Sequence, residues 1–466
     1  MQAVISHLVP QATIQHVQAV SSVHCQRAYG VKISDGTSLV LVVPPPPMVK
    51  LLRSERASVV SEAAVLRWLA NKMTEQPLLQ ERTPEPDESL DTEVAATGRA
   101  GDLSFTVDGA KDLQGFLPRL IAHTATSHET GREFNLMRPT MGVPIPDLSP
   151  PLSAPERKTI DFQTGHFYRR LCRLVSPTGR FGPAFAVLPS VTPAPASGQA
   201  RPVRRDLNAR LMELKGVQSW STAFHSMLEA VLRDGEDMQV MLGYGSIRKH
   251  FKRFQYTLDE VKTPRLVAVD VGKDINTLVI RRRRRRSTVS PASSRRPSIR
   301  DDIRRDSGDD DNSETEPDEL HQATIYSQDD VVMTGMKDWS NFIFGDPLFA
   351  MNFCRGPSHD FLSGFNDNSS DQNLESSMFS SDMIEDKATA HIRLLLYECY
   401  HTTTHIAKEF FRPRKDSGGR ELEARKRLSS ILAQLDALED LVDRRGRRPS
   451  GEVSPAKRSK SGEKDV

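Results

Sequence analysis

Apolar positions recur in this chain with two different periods, and the places where one period gives way to the other mark its elements. Asp35-Gly36 reads as a hairpin turn feeding a β-prone run, Thr37 to Val43, which four prolines then end. From residue 50 to residue 72 the spacing becomes helical, with Leu51, Leu52, Val59, Val60, Ala63, Leu66 and Leu69 near one face and Glu62 among them. Residues 114–123 and 133–137 regain strand character. Ser153 and Glu156 form a capping-box pattern with Pro155 in the first turn, which predicts a helix running to about Val175. Ile160, Phe167, Leu171 and Leu174 are its core stripe, and Arg169, Arg170 and Arg173 are expected on a solvated face. Helical spacing also predicts elements over 221–233, 247–261, 388–411 and 420–442. The last carries Leu428, Ile431, Leu432, Leu435, Leu438 and Leu441 as a seam, packed against its own lobe or, alternatively, offered to a partner helix.

The chemistry concentrates between the helices expected over 247–261 and 388–411. Leu266 to Val269 is a strand-like run that delivers Asp270, Asn276 follows a short polar loop later, and Thr277 to Ile280 resumes β character. A distant apolar run, Val331 to Met336, delivers Asp338 in the step Asp338-Trp339. Two carboxylates and an amide at consecutive strand ends suit phosphoryl transfer, in which one carboxylate handles the attacking hydroxyl and the other groups hold Mg²⁺ against phosphate.

At these residues the chain resembles the aminoglycoside phosphotransferase and choline kinase-like family. The resemblance extends to Gly345-Asp346-Pro347-Leu348, and the stretches Gly142 to Pro151, Phe181-Gly182-Pro183 and Phe224 to Asp237 look like a fungal branch of it. It implies an α+β, two-lobed, protein-kinase-like fold with a small β-rich N-lobe and a mainly helical C-lobe. It implies ATP and Mg²⁺ as cofactors, with Asp270 as base or orienter and Asn276 and Asp338 as metal ligands. Glu62 would be the helix glutamate that pairs with a strand lysine at the nucleotide, or else a solvated helix residue. The strand position expected for that lysine is Val42 or Val43, which leaves Lys50 as the neighbouring candidate. Two further departures are Ala268, where the family has a histidine, and an Asn276 one residue further from Asp270 than usual. Three readings therefore stand: a phosphotransferase that moves the ATP γ-phosphoryl to a small-molecule hydroxyl, a catalytically impaired pseudokinase acting as an interaction protein, and a basic nuclear scaffold acting through Arg281 to Arg286.

Composition sets the bounds. The chain has 466 residues, 37% of them hydrophobic, 30 prolines and a net charge of +2, so several core-bearing units alternate with chain that cannot bury itself. The expected organisation is an N-lobe over 1–140 with an insertion at about 74–110, then a C-lobe over 141–280 and 331–442. The C-lobe is interrupted by a linker near 189–205 and a disordered, charge-blocked insertion over 281–330, and a basic tail occupies 443–466. Arg281 to Arg286 and the Lys457 cluster could address the chain to the nucleus or recruit proteins, while the adjacent acid of Asp306 to Glu319 argues against nucleic acid as a partner. The insertion and the last helix are the candidate protein-binding segments. Four dispersed cysteines without a Cys-x-x-Cys pair, no leader pattern and no long apolar run predict an intracellular, cytoplasmic or partly nuclear protein with no membrane span. His401 and His405 lack the neighbouring glutamate of a metalloprotease helix, and neither Asp416-Ser417-Gly418-Gly419 nor Gly243-Tyr244-Gly245-Ser246 has the context of a nucleophile or phosphate loop.

Overall fold

The computed structural model describes Ile5, Val9 and residues 12–74, 113–124, 133–189, 216–282, 330–366 and 379–446, with side chains to residue 438. The centres of the acidic insertion, the Pro/Ala linker, the charge-blocked insertion and the basic tail, including the Lys457 cluster, lie outside the described residues.

Strands β1 (Ile14–Val20), β2 (Arg27–Ile33), β3 (Ser38–Val43), β4 (Arg119–Thr124) and β5 (Phe134–Arg138) form an antiparallel sheet in the order β1-β2-β3-β5-β4. Period-two alternation divides its residues between two cores. Leu39, Leu41 and Leu136 bury on one face with Val31 and Ile33, while Val42 and Met137 join the main core on the other. Helix α1 (Ser58–Thr74) packs against β4 and β5 on that second face, and ten consecutive-range residues from Val59 to Leu69, Glu62 included, are buried. The expected helix over 50–72 begins later because residues 53–55 form a separate 3-10 turn.

The second lobe is mainly helical. Helix α2 (Ala154–Arg173) starts at the expected capping box, with Glu156 Oε2 accepting from Ser153 N at 2.6 Å. It is followed by α3 (Trp220–Asp237), α4 (Tyr244–Asp259), α5 (His359–Asn366), α6 (Ala390–Phe411) and α7 (Ser417–Gly446). Helices α2 and α5 touch backbone to backbone. A Cβ on Gly165 would lie 2.0 Å from Phe361 O, and one on Gly364 2.0 Å from Phe162 O, so only glycine permits this crossing. Arg169 departs from its expected solvated position: it is buried, donating to Phe365 O at 3.0 Å and pairing with Asp382 at 2.7 Å, because α5 and residue 382 cover that side of α2. The seam of α7 lies on its own lobe, with Leu428, Ile431 and Leu435 buried and the helix packed on α6 and α4.

Two small sheets carry the polar loops. Strands β6 (Val143–Pro144), β9 (Thr277–Arg282) and β10 (Asp330–Met336) form one, and β7 (Gly182–Pro183), β8 (Arg265–Ala268) and β11 (Phe342–Gly345) the other. Arg281 and Arg282 belong to β9 and not to the charged insertion. Arg281 donates to Glu156 Oε2 at 3.2 Å and to Pro150 O at 2.6 Å, so this arginine staples the strand to the start of α2. Arg282 faces Asp330 across the β9/β10 ladder, which brings the two ends of the insertion together. The result is the two-lobed α+β arrangement anticipated from the sequence. Among the described residues no helix is long and apolar enough to cross a membrane.

Candidate active site

Asp270, Asn276 and Asp338 converge at the junction of the lobes. Strand β8 ends at Ala268, its register with β11 pairing Ala268 with Phe342, so Asp270 leaves the sheet immediately beside Asn341. The loop from Val271 to Ile275 turns at Gly272, whose φ of +76° suits glycine, and closes with Asn276 N donating to Lys273 O at 2.8 Å. The additional residue in this loop still delivers Asn276 to a buried position 1% exposed, where its Oδ1 accepts from Asp338 N at 2.9 Å. Gly335 makes the matching adjustment in β10. It has φ +148°, and an added Cβ would approach Phe116 O to 2.4 Å, so glycine lets the strand pass that backbone just before Asp338.

Each carboxylate is held differently. Asp270 Oδ2 lies 2.8 Å from His24 Nε2 and accepts from Asn341 Nδ2 at 2.6 Å, while Oδ1 pairs with Lys273 Nζ. Burial alone would raise its pKa, but the charges and hydrogen bonds of His24 and Lys273 outweigh that and hold it well below the ordinary carboxylate range. For His24 burial opposes protonation, and the charges of Asp270 and Asp338 win, raising its pKa. Asp338 Oδ1 accepts from Ser340 N at 2.8 Å and from Ser340 Oγ at 2.6 Å, which fixes the side chain in its own turn. Its Oδ2 has no hydrogen bond among the described residues, and the buried Asn276 Nδ2 likewise has none.

Glu62 is 2% exposed, which removes the solvated-helix reading. Its Oε2 accepts from Asn135 Nδ2 at 2.9 Å and its Oε1 from Trp339 N at 3.4 Å. Burial first, and then the charge of Asp338, push its pKa up to about 8, so the carboxyl is largely protonated at neutral pH. Lys50 stands apart from this cluster. Its Nζ rests 3.8 Å from Met238 Sδ at the end of α3, on the exposed surface. The charged group that acts on both Glu62 and Asp338 is His24, and Lys337 beside Asp338 donates from Nζ to Ser21 Oγ at 2.8 Å, its pKa lowered by burial.

Two cavities meet these groups. One, about 230 Å³, is a slot between Val20, Ala28, Val40 and Val42 of the sheet and Leu278 and Met336 of the other lobe, with Glu62, Lys337 and Asp338 at its polar end. The other, about 320 Å³, opens on Asp270, His24 and Asn341 and is largely apolar, with Phe342, Phe349 and Tyr400 in its wall. The sequence reading missed His24, Lys337, Asn341 and Lys273. The first two sit on irregular backbone with no periodic signal, and only their spacing from Asp338 and Asp270 in three dimensions marks them. Among the described residues no group of three or more His, Cys, Asp or Glu side chains forms a metal site of its own. One carboxylate with a free oxygen and one amide nevertheless fit Mg²⁺, which takes one or two protein ligands and completes its shell with phosphate oxygens and water.

No family model matches the chain, and the comparison with curated proteins returns no match. Among solved structures, the chain is similar to a protein assigned as a fructosamine-3-kinase from Thermobifida fusca YX-ER1, at 12% identity over 93% of this chain and 98% of that one, with a TM-score of 0.45. It is also similar to the streptomycin-ATP-APH(2'')-IIa ternary complex, at 13% identity over 92% and 95% of the two chains and a TM-score of 0.42. A third is the GDP complex of aminoglycoside 2'-phosphotransferase-IIIa, at 11% identity over 93% and 97% and a TM-score of 0.40. Likeness at this level assigns neither substrate nor activity, and what the site can do rests on its own residues.

Proposed function

We propose that this chain is a kinase-like phosphotransferase of the aminoglycoside phosphotransferase type, moving the γ-phosphoryl of ATP to a small-molecule hydroxyl. The observation that carries this is the buried Asn276–Asp338 hydrogen bond, which ties the start of β9 to the end of β10, with Asp338 lining one cavity and Asp270 the other. The apolar slot takes the base between Val40 and Leu278, and the phosphates extend toward Lys337 and Asp338. Asn276 and Asp338 would hold Mg²⁺, which when bound would supply positive charge to the phosphates. Lys337, just past the end of β10, supplies the positive charge that Val42 does not supply from β3.

The acceptor oxygen bonds to the γ-phosphorus as the bond from that phosphorus to the β,γ-bridging oxygen breaks, and ADP leaves. Asp270, held ionised by its neighbours, orients the acceptor O–H more than it takes the proton early, because a carboxylate of depressed pKa is a weak base. The acceptor has to displace His24 from Oδ2 to reach it. A second reading, a pseudokinase, is favoured by one observation: among the described residues the hydrogen-bond partners of Glu62 are Asn135 and Trp339, with no lysine at the carboxyl. Thermal unfolding with MgATP, followed by assay of ADP release, separates the readings. Binding at 100 times Kd stabilises by about 2.7 kcal/mol. Stabilisation with ADP release supports transfer, stabilisation without it supports the pseudokinase, and no stabilisation refutes both nucleotide readings.

A further inference from the structure

Behind Asp270, on the side away from the base slot, a third and larger cavity of about 860 Å³ lies between the C-terminal half of α6, the start of α7 and Arg355. It is continuous with the Asp270 cavity, since Met351, His401, Thr404 and Lys408 line both. Seven of its lining residues are lysine or arginine and three are glutamate. Several of the cations are already matched inside the protein. Arg412 pairs with Glu55 at 2.7 Å, Arg420 with Glu409 at 2.9 Å, Arg427 with Glu398 at 2.5 Å, and Lys273 with Asp270. Arg355 and Arg414 are exposed, and neither side chain has a carboxylate partner among the described residues.

Cations outnumber carboxylates in the lining of this cavity. At His405, burial is the main cause of a lowered pKa, Glu409 opposes it, and Arg355 and Lys408 add a smaller lowering. A concave surface with an excess of one sign of charge concentrates ligands of the other sign, and guanidinium groups without an internal partner present paired donors that match phosphate and carboxylate oxygens.

We infer that this cavity is the seat of an anionic acceptor: a small phosphate- or carboxylate-bearing molecule held by Arg355 and Arg414, with a hydroxyl directed past Lys408 to Asp270. The inference rests on the phosphotransfer reading for the role of the bound molecule as acceptor, but the binding itself does not need nucleotide. A neutral or cationic acceptor would leave the two guanidiniums unused and, if cationic, would meet an excess of like charge.

Calorimetric titration of the nucleotide-free full chain tests this, with fructose 1,6-bisphosphate as the phosphate-bearing probe and citrate as the carboxylate one. At least one probe should bind, more weakly as salt is raised. Arg355→Ala/Arg414→Ala should weaken it about tenfold or more, while Lys158→Ala/Lys252→Ala, exposed cations outside the cavity, should leave it unchanged. Absence of binding by both probes, equal binding by the Arg355/Arg414 variant, or an equal loss in the control variant would overturn the site. Separate titration of MgATP against the same proteins keeps the two proposals distinct. Anion binding without MgATP binding sinks phosphotransfer and leaves the anion site, and MgATP binding without anion binding does the reverse.

Discussion

Glu62→Gln tests how the cleft handles a buried carboxyl without a cationic partner. In the unfolded chain a glutamate titrates near 4.5, whereas burial and Asp338 raise Glu62 to about 8 in the folded state. Below pH 4.5 both states hold the proton and the group contributes no pH dependence. Between 4.5 and 8 the unfolded state has lost the proton and the folded state keeps it, so stability falls as pH rises, by about 1.4 kcal/mol per unit. Above 8 both are ionised and the decline ends. Glutamine has the same shape and does not titrate; its single oxygen accepts from only one of Asn135 and Trp339, a cost that is the same at every pH. The difference in unfolding free energy between Glu62→Gln and wild type should therefore grow by about 3 kcal/mol in favour of the variant between pH 5 and pH 7.5. Urea unfolding of both proteins at the two pH values reads this directly, with the midpoint moving at constant slope. A difference that stays flat across that range would show that Glu62 is ionised in the folded protein and that an unseen counter-charge serves it.

Other consequences are structural. Arg393 is fully buried and donates to Asp346 Oδ2 at 2.8 Å, an oxygen that Tyr397 also reaches at 2.8 Å. Arg393→Met leaves that carboxylate uncompensated and should cost about 3–5 kcal/mol in chemical unfolding, with part recovered in Arg393→Met/Asp346→Asn. Gly165→Ala should cost more than about 2 kcal/mol, since the added carbon meets backbone of α5 that cannot swing aside, while Gly179→Ala, at φ +65° with open space around it, should cost less. Replacing residues 283–329 by a two-residue turn should leave the unfolding free energy within about 0.5 kcal/mol of wild type, because Arg282 and Asp330 already stand opposite each other in the β9/β10 ladder. A shortened chain that loses its cooperative transition contradicts this.

The elements were legible where burial is periodic. The α2 capping box, the seam of α7 and the strands flanking Asp270 and Asp338 lie close to where their spacing places them, because one-sided burial imposes the period directly. Asn276 was legible by order along the chain, and the turn at Gly272 absorbs its extra residue. What could not be read was partnership. Lys50 follows a proline-rich turn that carries it to α3, and no local pattern records that direction. Lys337 and His24 reach the cleft from a strand end and from the β1–β2 connection, where charge and position are set by tertiary approach alone. Arg169 looked solvated because its helix was read without α5 beside it.

The central claim is that Asp338 and Asn276 bind a metal–nucleotide complex, and titration of ATP with and without Mg²⁺ against wild type and Asp338→Asn tests it most directly. Asparagine keeps the Oδ1 contacts to Ser340, so the turn should survive, with only a small change in stability. The account predicts that wild type binds MgATP more tightly than metal-free ATP and that Asp338→Asn weakens MgATP binding by about tenfold or more, with little effect on ATP alone. Equal affinities in all four titrations would remove Asp338 from the site and contradict the phosphotransfer reading.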